Sequence, residues 1–197
     1  MKLRTMLATL AILTLAIVST GCDTMPVADQ YRSSAANSIS IQRVGGSANI
    51  ASVSAGPGVA SERFCRGVGT VSIDPNRNLI EYIENALLEE MFAARAFDAT
   101  SPSGISVVVT ELTHTTMAGA NWTVGLAVSS TTSSTTITSR TVYPFKTSFT
   151  GVVACKNLAD AYAGAVSTAL RSIFTDPQFG ELLNPTSASI SQPISIN

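Results

Sequence analysis

"GISVVVTELTHTTMAGANWTVGLAVSS", Gly104 to Ser130, decides the fold class. Ile105, Val107 and Val109 alternate with their neighbours, and Trp122, Val124, Leu126 and Val128 repeat the same two-residue period. "MAGAN" between them has the small residues of a hairpin connection. "TVYPFKTSFTG" then brings Tyr143, Phe145 and Phe149, so three strands follow one another without an intervening helix. The run "SSTTSSTTITS" is rich in hydroxyls but also in β-branched threonine, which favours the pleated conformation, and Ser129 to Thr141 is expected to form the facing ends of a second hairpin. Pro144 cannot donate to a ladder, which puts its strand at an edge or a bulge.

Helices flank this meander. Asp74 and Pro75 in "SIDPNRN" suit an N-cap and first helical position, and Leu79, Ile83, Leu87 and Met91 then recur every four residues. Ile80, Leu88 and Phe92 widen the apolar stripe, Glu81, Glu84, Glu89 and Glu90 are expected on a solvated face, and the helix should end near Phe97. A second helix is predicted in "KNLADAYAGAVSTALRSIF", capped by Asn157, with Leu158, Tyr162, Ala165, Ala169 and Ile173 on one face. A short turn, "PQFGELL", follows Asp176. Before the first helix, Ile39, Ile41 and Val44 suggest a strand, residues 45–61, rich in Gly, Ala and Ser, a long loop or an irregular edge, and "VGTVSI" another short strand. This order predicts an α+β domain: a largely antiparallel sheet of four to five strands with two main helices packed on one face.

The amino terminus points to the compartment. Lys2 and Arg4 precede thirteen mostly apolar residues from Met6 to Val18, a run short of the roughly 18 to 20 needed to span a bilayer, which is the order of an export signal. Small residues Thr20 and Gly21 before Cys22 resemble the lipobox of bacterial lipoproteins, with Ser19 where that pattern usually carries Leu. The resemblance implies cleavage before Cys22 and acylation of its thiol, and two or more acyl chains hold a protein stably at a membrane. The expected division is a signal peptide over 1–21, a flexible membrane tether over 22–38, one periplasm-facing domain over 39–183 and a polar tail over 184–197. Asp23 resembles the residue that keeps some lipoproteins at the inner membrane, so either the cell membrane or the outer membrane is the expected location.

Removing residues 1 to 21 from the 197 leaves 176, enough for one real core. It also takes Lys and Arg from 12 to 10 against 13 Asp and Glu, a net charge of −3. Nucleic acid is not an expected partner, since its phosphates demand clustered cations. With Cys22 assigned to lipid, Cys65 and Cys155 remain as an even pair in an oxidising compartment; they are expected to be bonded, the other reading being two buried free thiols. His114 is the sole histidine, too few with these cysteines for a zinc site, and no metal or cofactor is expected. Nor does any Ser sit in a G-x-S-x-G elbow, and "GPG" and "GVG" lack the setting of a phosphate loop, so the chain is not expected to be an enzyme.

Together the lipobox, "NLIEYIENALLEEMFAARAFD", the meander with "NWTVGLAV" and the closing "AYAGAVSTALRSIFTDPQF" resemble small YajG-type envelope lipoproteins and, in outline, the auxiliary lipoproteins of ABC transport systems. That resemblance implies a periplasm-facing, non-catalytic role and brings no catalytic residues. The expected function is a lipid-anchored interaction or assembly module with an envelope protein partner, working through a sheet edge or the Thr-rich hairpin. The alternative is a binding or transport accessory for a lipid or other apolar ligand.

Overall fold

The computed structural model of the chain describes residues 23–27, 30–73 and 77–184. The expected signal peptide, Cys22, the predicted cap at Asp74 and Pro75, and the tail from residue 185 lie outside the described residues. In chain order the elements are β1 (Asp23–Pro26), α1 (Ala35–Val44), β2 (Asn49–Ala55), β3 (Arg63–Cys65), β4 (Gly69–Ser72), α2 (Leu79–Ala93), β5 (Gly104–Thr115), β6 (Asn121–Ser130), β7 (Thr136–Pro144), α3 (Gly151–Asp160), α4 (Tyr162–Phe174) and α5 (Phe179–Leu183). The fold is α+β. A four-stranded sheet runs β2-β5-β6-β7, its meander antiparallel and β2 parallel to β5; a small sheet runs β1-β4-β3.

The meander forms because its two-residue period sends Ile105, Val107, Val109, Trp122, Val124, Leu126 and Val128 to the inner face, where all are buried. A bulge between Val109 and Glu111 resets the phase, so Leu112 also points inward. Helices α2 and α4 cover this face. The stripe of Leu79, Ile83, Leu87 and Met91 is buried, and so are Tyr162, Ala165, Ala169 and Ile173 of α4. Each large apolar side chain buried this way contributes about 1.5–3 kcal/mol. Two buried hydrogen bonds fix the layers: Trp122 Nε1 donates to the Leu158 carbonyl at 2.8 Å, and the Tyr162 hydroxyl donates to that of Leu79 at 2.8 Å.

Several sequence expectations are corrected. Ile39, Ile41 and Val44 lie in helix α1, not a strand: Asn37 and Ile41, four apart, are its buried residues, whereas Ile39 is 48% exposed. Gly45, at φ 67°, ends that helix in a conformation favouring glycine. Of the two readings of residues 45–61, the edge holds: they contain β2, an outer strand of the four-stranded sheet. The tether expected over 22–38 instead includes β1 and the first turn of α1. Helix α2 is capped by Asn78, which accepts from the Ile80 and Glu81 amides, while Glu81 reaches back to the Asn78 amide. It ends at Ala93, earlier than Phe97, and Phe92 is exposed. Asn157 is not a cap either: the helical stretch begins six residues earlier at Gly151 and breaks at Ala161. Glu90 is the sharpest departure, because it is fully buried and not on the solvated face.

Candidate functional site

The structure joins Cys65, at the end of β3, to Cys155, within α3, with Cα atoms 5.8 Å apart. Both side chains are buried, so the bond clamps α3 onto the small sheet.

The hydroxyl-rich connection between β6 and β7 is largely occupied within the fold. Ser103 Oγ donates to the Leu182 carbonyl at 2.7 Å and shares a hydrogen bond with Ser130 Oγ at 2.9 Å. Thr131 Oγ1 accepts from the Gly104 amide at 2.8 Å, and Thr135 Oγ1 donates to Glu181 Oε2 at 2.7 Å. These bonds fasten the turn to β5 and α5. The expected binding run from Ser129 to Thr141 therefore divides into a structural end and an outer strand.

That outer strand is β7, last in the four-stranded sheet. The Phe145 amide donates to the Ala120 carbonyl at 3.0 Å, continuing the ladder to β6. Because antiparallel pairing alternates, odd-numbered residues of β7 turn their backbone groups to β6, and Thr138, Arg140 and Val142 turn theirs outward. Pro144 falls in the outward phase, where its missing N–H costs no ladder bond. The side chains of Thr138, Arg140 and Val142 are exposed on the face away from the helices. Across that face Arg140 grips Glu111 with Nε to Oε2 at 2.7 Å and Nη2 to Oε1 at 3.2 Å, which holds the Glu111 carboxyl below its ordinary range. Gly125 lies between them in register; a Cβ there would come within 2.7 Å of Thr110 Oγ1 at the bulge.

His114 lines a surface groove of about 500 Å³ with Glu62, Arg63, Phe64 and Thr113. It is paired with Trp122 across the sheet, ring centroids 5.3 Å apart. Burial first, and the Arg63 charge second, push its pKa below the ordinary 6.5. The unfolded chain therefore binds a proton at His114 more readily than the folded one, so the stability this site contributes is present above pH 6.5 and falls as the pH drops below it. Wild type should lose more stability between pH 7.5 and 5 than His114→Asn, as read by thermal melting at each pH; parallel profiles would show that the proton is taken up equally in both states.

A third polar cluster is internal. Glu90 Oε1 accepts from the Tyr31 hydroxyl at 2.5 Å, Asn37 Nδ2 at 2.8 Å and the Ser34 amide at 3.0 Å. Burial and this bond both raise the Tyr31 pKa well above its ordinary value. From Tyr31 an aromatic chain crosses the core through Tyr82, Tyr162 and Trp122 to His114, with successive centroids 6.2, 5.3, 4.9 and 5.3 Å apart. Tyr82, Ala86 and Glu90 repeat every four residues on α2, the signal by which this burial could have been found. Among the described residues no three His, Cys, Asp or Glu side chains are grouped to hold a metal, and no helix is long and apolar enough to cross a membrane.

No family model and no curated protein matches the chain. Among solved structures it is similar in outline to protein XCC0632 from Xanthomonas campestris, of family DUF330, at 14% identity and a TM-score of 0.46, over 73% of this chain and 88% of that one.

Proposed function

We propose that the chain is a lipid-anchored cell-envelope protein, of the kind its sequence resembles, that acts by binding and not by catalysis. It presents the outer edge of β7 to an envelope protein partner. The observation that carries this reading is the outward row of backbone groups at Thr138, Arg140 and Val142. A strand edge of this sort is a template for a further strand, and main-chain hydrogen bonds along it supply affinity while the flanking side chains select the partner. The other reading, a groove for a lipid or another apolar ligand between helices and sheet, would have to open where Trp122, Tyr162, Phe174 and Phe179 now fill the layer.

The outward phase of the edge permits a clean test. Thr138→Pro and Val142→Pro each remove an outward N–H without breaking a bond to β6. A photo-crosslinking residue at Arg140 should trap a discrete protein adduct in intact cells, and either proline variant should reduce that adduct at least tenfold, while His114→Ala leaves it unchanged. Cys22→Ser should leave the protein either unprocessed or released from membranes. Adduct formation indifferent to both prolines but abolished by His114→Ala would reject the edge as the binding surface.

A further inference from the structure

We propose that the end of the domain bearing Met117, Phe149, Val152 and Val153 is seated directly on the phospholipid surface. The proposal rests on Cys22 being the acylated anchor and adds the orientation in which the domain sits. Phe149 is fully exposed, and Met117, Val152 and Val153 are 67%, 60% and 47% exposed. They come from separate segments held together by one side chain. Arg66, at a positive φ of 46°, directs Nε to Thr116 Oγ1 at 2.7 Å, Nη1 to the Ser148 carbonyl at 3.1 Å, and Nη2 to Met117 Sδ at 3.5 Å. Arg66 Nη2 and Thr147 Oγ1 both also donate to the Thr116 carbonyl. Gly151, the first residue of α3, lies against Val68, and α3 packs on β1 and β4.

The register of the small sheet brings the anchor to this same end. Asp23 is opposite Gly69, and Gly69 is opposite Cys65, the residue before Arg66. Two strand spacings separate Asp23 from Cys65, about 10 Å. Cys22 is covalently the next residue, and one residue spans about 3.8 Å. An acyl group on Cys22 is thus joined to a strand of the fold with no intervening spacer, and the domain cannot rise from the bilayer unless β1 leaves β4. Whatever is exposed at that end must lie at the level of the headgroups. Aromatic, Met and Val side chains suit that depth, since apolar area buried at the headgroup–acyl boundary strengthens interfacial binding. A second protein would have to share this face with the lipid; the bilayer is already there.

Trp122 is the single tryptophan and is buried, so added tryptophans report their own surroundings. The full acylated chain, carrying Phe149→Trp or Ser134→Trp, is reconstituted into phosphatidylethanolamine–phosphatidylglycerol vesicles containing brominated lipid. Ser134 is exposed in the turn at the opposite end of the meander, about 40 Å away along β5 and β6. The Phe149→Trp fluorescence should be quenched at least twofold more than that of Ser134→Trp and shift to the blue. Adding Val152→Asp and Val153→Asp should reverse both effects. Flotation of the protein with vesicles while both tryptophans remain unquenched, or are quenched equally, would overturn the orientation with the anchor intact. A blue shift at Phe149→Trp without vesicles, growing with protein concentration, would assign the face to a second copy and overturn it too. Failure to float, with no acyl mass on the N-terminal peptide, would instead remove the anchor on which the proposal rests.

Discussion

Replacing Cys65 and Cys155 together by alanine should lower the stability of the domain by about 4–5 kcal/mol, less any strain released from the native state. The two residues are 90 apart in sequence, so the bond closes a loop of nearly half the chain and withholds that loop's conformational freedom from the unfolded state. The native side loses little packing, since each alanine removes one buried sulfur. Position adds a second effect. Cys155 lies inside α3 and not ahead of a helix, so the bond holds the middle of α3 against β3 and, through Arg66, the loops at residues 116 and 148. Chemical denaturation of wild type with and without reductant, beside the double alanine variant, measures the effect. Reduced wild type and the variant should unfold at nearly the same, much lower denaturant concentration. A shift on reduction of under about 1 kcal/mol would mean that the unfolded chain is already confined without the bond.

What the sequence disclosed and concealed follows from where large apolar side chains stand. Val107, Trp122, Val124 and Leu126 alternate with enough mass to announce the meander, and Leu79 to Met91 announce α2. In "SISIQRV" the alternation of Ile39 and Ile41 suggested a strand, but the helix wins because Asn37 and Ile41 share a face and Asn37 finds the buried carboxylate of Glu90, a partner 53 residues away. No local pattern reveals such a pairing. The Ala and Ser of β2 hide an outer strand whose partner, β5, carries the apolar residues. Helix α3 began earlier than its expected cap because Val152 and Val153 are exposed and form no buried stripe. Of the candidate binding surface, Pro144 correctly marked β7 as an edge. The hydroxyls of Ser130, Thr131 and Thr135 could not be separated in advance from those of Thr138, since their partners at Ser103, Gly104 and Glu181 are remote in sequence.

Glu90→Ala should cost about 3 kcal/mol or more, and Glu90→Gln less than about 1 kcal/mol, because the site needs an acceptor and not a charge. Three donors converge on Oε1, from Tyr31, Ser34 and Asn37, while Oε2 has no hydrogen-bond partner among the described residues. Truncation to alanine takes this acceptor from Tyr31 and Ser34 and leaves Asn37 Nδ2 only its longer bond to the Ser167 carbonyl at 3.4 Å, and each buried donor so stranded costs about 1–3 kcal/mol, less where water can reach the partly buried Tyr31. The amide of glutamine keeps a carbonyl for those donors and removes a carboxylate from a fully buried position, where an unpaired charge is costly. Its NH2 group can also face an acceptor, and the buried Asn37 Oδ1 is one that has no partner among the described residues. The damage should be local. Ser34 is the N-cap of α1 and Asn37 lies in its first turn, so the alanine variant should lose amide hydrogen-exchange protection over Ala35–Val44 while β5 and β6 keep theirs. Denaturation curves and exchange together test this. A glutamine variant as unstable as the alanine one, with α1 equally exposed to exchange, would mean that the negative charge itself holds α1 to α2.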